Sequence, residues 1–521
     1  MNDRQKIGWT CFITLMYFVL GVIGILHHEM WLDEAHHYLL ARDSHSLSEL
    51  MYNARYEGHP LIWNILLLVL TIFTRDPFYM QVLHVIIATT TVFLLLRYAP
   101  FQYYIGVMIV FGYFFFYEYN IISRNYAISM LMLVITCILI SRPVKNYILI
   151  AISLVFLANT HLFSFIASVG ILSVLVWDLS DKRAFESNKK ALYWSIIILM
   201  IGLIVLLSQV FVPEDHFLKH YDVDPYFSFK RIGKAFSIVM KGLYHVPNIF
   251  TDHLWNTNVL VSSSKIGSTV PVFLVLFIPL IFFIEKPHAL FFFYFSVSGI
   301  MVFVFLSPLI VAARHWGFVF LLFVIALWLE QTFDRITEER RIKGEWYHKL
   351  VMSSRKSRPV ILFSILGVQL FSSAYLFATD FRRPFSHAQT VADYLKKNKY
   401  DKGIVVLAHH SSGPAVSMYL DKPLFYTENN DFGTYCKWNT FPYDLSDQEV
   451  LNRVYTLMYN KKEVHAIFIL NHRLGCKESD PKGIPLYTDL QIVQKKVFSG
   501  AILKSENYFV YEVQLSGESI H

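Results

Sequence analysis

The acids of the first polar loop are the residues of this chain best placed to do chemistry. The segment HHEMWLDEAHHYLLARDSHSLSELMYNARYEGHP (27–60) carries Glu29, Asp33, Glu34, Glu57 and six histidines within 34 residues, directly after an apolar run. Ionised carboxylates beside hydrocarbon are costly unless they are hydrated or used. Asp33 and Glu34 are neighbours, so on a helix they point about 100° apart and only one faces a given site. A general base needs one carboxylate set against the proton it removes. Either acid fits that role; the plain alternative is a solvated acidic loop.

The connection YEYNIISRNYA (117–127) adds Glu118, Arg124 and Asn125. An arginine there serves as an interface anchor or, through its planar fork of donors, as a phosphate ligand. His161 interrupts a long apolar run, and Arg314-His315-Trp316 opens another. A lone histidine in such a run is ordinarily a packing residue. The recurrence carries the signal. Four helix ends, expected on one side of a membrane, each present an acid, an arginine or a histidine. Carboxylates for proton transfer, arginines for phosphate and an aromatic apolar wall suit a lipid-linked phosphosugar whose tail stays in the bilayer.

Membrane helices must position these residues. The chain has 521 residues, 55% of them hydrophobic and only 16% charged, against roughly 25% charged in soluble domains. That balance excludes a disordered protein and argues against a soluble multidomain enzyme. The net charge of +7, from 46 Lys+Arg against 39 Asp+Glu, is spread in short clusters between apolar runs. Such a spread fits cytoplasmic loops and gives no patch for nucleic acid.

Spans of about 20 residues are expected at 8–26, 78–96, 101–117, 121–140, 191–212, 269–284, 289–310, 315–330 and 359–378. The run 146–177 divides into two more at Asn159-Thr160-His161. Basic clusters at Arg4/Lys6, Arg97, Arg142/Lys145, Lys182 to Lys190, Lys286 and Arg335 to Arg358 mark the inside. The segment 61–74 would rise about 21 Å, short of a core about 30 Å thick, and is expected to lie in the outer interface. Eleven spans follow. The first helix is retained, the N-terminus is cytoplasmic, and the C-terminus lies outside the inner membrane.

The composition changes after Asp380, dividing a membrane domain (1–379) from an extracytoplasmic α/β domain (380–521). Helices are expected there at 390–398, 414–420 and 448–458, and strands at 403–408, 423–427, 464–470 and 507–514. Cys436 and Cys476 either form a disulfide in that domain or stay as buried thiols. Cys11 and Cys137 read as packing residues within spans.

Three segments, WLDEAHHYLLAR (31–42), EGHPLIW (57–63) and SRNYAISML (123–131), together with Thr160-His161, resemble the GT-C fold membrane glycosyltransferases. The nearest likeness is to bacterial relatives of the protein O-mannosyltransferases and lipid A aminoarabinose transferases. It is closest over about 8–180. Where that family carries two prolines after its histidine, this chain has Gly58-His59-Pro60-Leu61. The resemblance implies a GT-C-like polytopic α-helical membrane protein with a C-terminal extracytoplasmic α/β domain. It also implies inverting transfer of a sugar from a polyprenyl-phosphate donor to an acceptor glycan, lipid or protein.

In that scheme Asp33 removes the acceptor proton, with Glu34 as the other candidate. Arg124 and Arg314 stabilise the leaving phosphate. Glu34 or Glu118 positions the acceptor or a partner side chain, His59 orients the loop, and His161 joins them in the substrate site.

Other readings compete. His27, His28, Glu29, Asp33, His36 and His37 are dense enough for a divalent cation, but no HExxH motif accompanies them, and no cofactor is expected. A transporter or flippase would place charges near the bilayer midplane and often show repeats. An O-antigen ligase or polymerase type of transferase would use a large late loop such as 213–268, with Glu214, Asp215, His216 and His220.

Overall fold

The computed structural model describes residues 2–179, 182–216, 229–251, 254–262, 274, 277–307, 311–333, 345–408, 412–439, 445–475 and 490–515. Within hydrocarbon, a helix satisfies every backbone N–H and C=O internally, and the apolar runs fold accordingly. They give α1 (Asp3–Ile25), α2 (Leu32–Arg42), α3 (Leu47–Asn53), α4 (Ile62–Phe73), α5 (Phe78–Tyr98), α6 (Tyr103–Val110), α7 (Tyr126–Ile140), α8 (Tyr147–Ala158), α9 (Leu162–Asp178) and α10 (Lys182–Val210). Further along come α11 (Phe229–Leu243), α12 (Val259–Ser262), α13 (Pro287–Leu306), α14 (Ala313–Thr332) and α15 (Glu345–Asp380).

Among the described residues, α1, α5, α10, α13, α14 and α15 are long and apolar enough to cross a membrane, and α4, α7, α8 and α9 are shorter apolar helices. This is a multi-pass membrane protein. Helix α14 runs through the centre of the bundle and is buried along nearly its whole length. Helix α15, at 36 residues, is about 54 Å long and outruns the hydrocarbon core.

Polar residues set the helix ends. Asn146 caps α8 by accepting from the Leu149 N–H, and His161 caps α9 by accepting from the Phe163 N–H. The expected break at 159–161 is therefore a pair of helix termini. Two expected spans differ from the structure. The run 101–117 is broken: α6 ends at Val110, Gly112 follows, and Phe114–Glu118 forms a π-helical turn. Glycine weakens a helix, and π-turns are tolerated where side chains must be re-aimed. The run 121–140 becomes helical only at Tyr126, because Ser123-Arg124-Asn125 forms the approach to the helix. The first part of 269–284 and the basic residues from Arg335 to Lys343 lie outside the described residues.

The C-terminal domain contains α16 (Ala388–Lys397), β1 (Ile404–Leu407), α17 (Gly413–Leu420), β2 (Leu424–Tyr426), β3 (Asp431–Gly433), α18 (Asp447–Lys461), β4 (His465–Leu470), β5 (Leu490–Phe498) and β6 (Tyr508–Leu515). Its sheet has the order β3-β2-β1-β4-β6-β5. β1 is parallel to β2 and β4, while β6 is antiparallel to both β4 and β5. The expected strand at 507–514 is thus an interior antiparallel strand.

Alternation along the strands makes two apolar faces. Val406, Phe468 and Val513 pack with Val450 and Val454 of α18. Val405, Leu407, Ile467 and Val510 share a core with α16, α17 and, beyond them, Ala35, Tyr38 and Leu39 of α2. Trp63 and Leu67 of α4 belong to the same core. The sheet domain and the first loop are one packed unit. Cys436 is buried; its expected partner Cys476 lies outside the described residues.

Candidate active site

Helix α2 carries the acids, and its packing decides what each of them does. It lies between α4 and α17, and every residue from Glu34 to Arg42 is buried. Asp33 and Glu34 leave the helix in different directions, as adjacent positions must.

Glu34 points inward. Its Oε1 accepts from the Ser123 N–H at 2.7 Å, and its Oε2 accepts from the Trp31 N–H at 3.3 Å. The same Oε2 lies 3.0 Å from His28 Nε2, and His28 Nδ1 lies 2.9 Å from Asp380 Oδ2 at the end of α15. Tyr117 donates to that Asp380 oxygen at 3.1 Å. Burial alone would lower the His28 pKa, but Glu34 and Asp380 on either side raise it to about 10. The ring is an imidazolium held between two carboxylates.

Asp33 keeps some exposure. Its Oδ2 lies 2.8 Å from Arg124 Nη1 and 2.8 Å from Arg314 Nη2, with the Asp33 side chain 18% exposed. Burial would raise this carboxyl, yet the two guanidiniums outweigh it and hold it below the usual value. The Nε groups of both arginines are buried without a hydrogen-bond partner among the described residues. Each guanidinium therefore retains a donor beyond its ion pair. The guanidinium of Arg314 also lies over the rings of Trp31 and Trp255, at 5.5 and 5.8 Å.

Gly317, one turn into α14, allows this arrangement. A Cβ there would collide with Tyr119 and Phe114, and Tyr119 donates to the Arg314 carbonyl at 2.6 Å.

Glu118 sits one layer further in. Its Oε2 accepts from Tyr113 Oη at 2.6 Å and from Trp255 Nε1 at 3.0 Å, so it reaches Arg314 through the shared Trp255. His59 follows Gly58, whose φ of +61° suits glycine. The His59 ring stacks on His161 at 5.6 Å, and His161 lies 6.0 Å from His315. Burial, with both arginines nearby, lowers the His59 pKa. All seven expected site residues thus gather where the starts of α2, α7, α9 and α14 meet. Asp33, Arg124 and Arg314 are in direct contact, His59 and His161 form a stacked wall, and Glu34 and Glu118 lie behind.

Sequence reasoning passed over Asp380, Tyr113, Trp255 and the buried role of His28. Asp380 had a signal, since it ends an apolar run as the other site acids do; Trp255 had none. In the late loop, His216 lies 2.9 Å from the Tyr56 carbonyl, and Tyr56 donates to Asp215 at 2.7 Å. Those two residues brace the first loop; His220 lies outside the described residues. Among the described residues no three His, Cys, Asp or Glu side chains gather as a metal site would require.

The fold is a multi-pass membrane bundle with a small sheet domain at its C-terminus, GT-C-like in its architecture. One solved structure of similar fold is ArnT from Cupriavidus metallidurans bound to undecaprenyl phosphate, with a TM-score of 0.51 over 97% of this chain and 98% of that chain at 9% identity. The apo state of the same protein gives 0.48 over 99% of both chains, also at 9% identity. At that identity the likeness is one of fold. No family model and no curated protein matches the chain.

Proposed function

We propose that this protein transfers a sugar from a polyprenyl-phosphate donor to an acceptor outside the inner membrane, with inversion at the anomeric carbon. One observation carries the reading: Asp33 is held between two arginines at the starts of separate helices. The fold it shares with ArnT, a protein crystallised with undecaprenyl phosphate, supports a lipid phosphate as the ligand of those arginines.

The reaction follows from charge. The donor phosphate competes with Asp33 for Arg124 and Arg314. Each ion pair it displaces raises the affinity of the carboxylate for a proton, so donor binding turns a weak base into a better one. Asp33 then takes the proton of the acceptor hydroxyl as its oxygen attacks the anomeric carbon. The bond from that carbon to the phosphate oxygen breaks, and the lipid phosphate leaves with its charge held by both guanidiniums. A phosphate needs little acid help to leave, so a second carboxylate is not required. The cytoplasmic N-terminus and external sheet domain expected from the basic loops place this chemistry on the outer face.

The test is donor consumption and sugar transfer by purified protein in nanodiscs, using a panel of polyprenyl-phosphate sugars with glycan, lipid and peptide acceptors. Transfer by wild type and its loss in Asp33→Asn support the proposal. Movement of lipid across liposomes with no donor consumed would replace it with a transporter.

A further inference from the structure

Several of the contacts that hold α2 and its flanking residues come from the far end of the chain. Glu29 accepts from Thr390 Oγ1 at 2.9 Å and from the Gln389 N–H at 3.2 Å. The Met30 N–H donates to Tyr419 Oη at 2.9 Å. At the other end of α2, Arg42 pairs with Asp421 at 2.8 Å, and Asp43 accepts from Thr434 at 2.6 Å. These bonds bracket the helix.

The bond at its first residue differs from the rest, because it is made by a fully buried acid. Oε1 of Glu506, just before β6, accepts from the Leu32 N–H at 3.1 Å. Oε2 accepts from Ser386 at 2.9 Å and from Tyr508 Oη at 2.6 Å. Glu506 is 1% exposed. The first N–H groups of a helix have no partner inside it, and the Trp31 side chain supplies no capping bond here. Glu34 reaches back to the Trp31 N–H, and the N–H of Leu32, which a local cap does not ordinarily serve, is held by this distant carboxylate. Asp33 is the next residue along.

We infer that Glu506 is a positioning residue: it sets the start of α2, and through it the placement of Asp33 between Arg124 and Arg314. The C-terminal domain is accordingly part of the reaction machinery and more than a cover over the loops. Removing the acceptor frees the first turn of α2 and lets Asp33 drift from its two partners. A displacement near 1 Å at a reacting group costs on the order of a hundredfold in rate. The arginines, anchored on α7 and α14, still bind phosphate. The rate part of this inference rests on the transfer reaction proposed above; the placement part does not.

Two variants act on the same bond from opposite sides. Glu506→Ala removes the acceptor. Leu32→Pro removes the donor without touching the sheet domain, and proline is accepted at a first helical position after an extended residue such as Trp31. Glu506→Gln keeps an acceptor oxygen and serves as the rescue. Full-length protein in nanodiscs is examined by hydrogen exchange and by donor kinetics.

In Glu506→Ala and Leu32→Pro, amide exchange over 33–38 rises about tenfold or more while β4 is unchanged, and Glu506→Gln stays near wild type. The kcat falls at least tenfold with donor KM within about twofold, and the double variant Leu32→Pro/Glu506→Ala is no worse than either single one. Unchanged exchange over 33–38 in Glu506→Ala overturns the inference, as does strict additivity of the two substitutions. If exchange responds as expected but no donor is ever consumed, the positioning role stands and the transferase reading fails.

Discussion

Asp33 and Arg314, one opening α2 and the other opening α14, meet at 2.8 Å. Their contact ties the basicity of the carboxylate to the freedom of the arginine to take another anion, since each group is the other's counter-ion. Removing Arg314 takes away one of the two guanidinium charges that lower the Asp33 pKa. In Arg314→Ala the acid limb of the kcat/KM profile should therefore move to higher pH, together with at least a tenfold loss of donor affinity. Rate measurements across pH 4 to 9, paired with polyprenyl-phosphate binding, check both parts.

Asp33→Asn and Glu34→Gln, although adjacent, should fail differently. Asn cannot accept the acceptor proton, so transfer should drop by about 10²–10⁴ while the protein stays folded. Gln at 34 still accepts from the Ser123 N–H but removes one counter-ion of His28, so the expected loss is in stability. Its kcat should stay within about tenfold of wild type. Thermal unfolding and single-turnover transfer on the same preparations separate the two outcomes.

His28 should be indispensable for stability. Its removal leaves Glu34 and Asp380 buried without their shared cation, a loss of about 3–5 kcal/mol for breaking a buried pair. The pH dependence has a definite sign. With the His28 pKa raised from 6.5 to about 10, the stabilisation is full below pH 6.5 and fades as pH rises through 10. Unfolding midpoints of wild type should thus decline between pH 7 and 10 more steeply than those of His28→Asn.

Glu506 has the same sign in a lower pH window. Burial raises its pKa from 4.5 to about 7, so the contribution of its protonated form is full below pH 4.5 and lost as pH rises through 7. Replacing it with Gln removes that slope. The midpoint of Glu506→Gln relative to wild type should be higher at pH 8 than at pH 5, and equal offsets at the two pH values would refute this.

Much of the architecture was legible because periodicity and polar interruptions are local. Most of the apolar runs became helices, Asn159-Thr160-His161 separated α8 from α9, and the expected helices and strands of the tail fell close to their places. Strand β5 escaped because Lys495 and Lys496 sit in an outer strand whose middle is exposed, a common way of blunting a sheet edge. Strand β3 has only three residues. The gathering of Asp33, Arg124 and Arg314 was anticipated from residue type and side of the membrane. The division of labour between Asp33 and Glu34 was not, because it depends on Ser123, His28 and Asp380. Nothing local to the WLDEA segment reports that Ser123 offers an N–H, or that Glu506 caps Leu32.

His28 and Asp380 are 352 positions apart, and Leu32 and Glu506 are 474 apart. Chains emerge from the ribosome N-terminus first, so the first loop is synthesised long before either of those partners exists. Until then its acids and histidines have only water and early helices for company. The constellation around Asp33 closes last, with the arrival of the final strand. A product that stops before β6 holds Asp33, Arg124 and Arg314 and still lacks the carboxylate that takes the Leu32 N–H, so the last bond at the start of α2 is also the last to be synthesised.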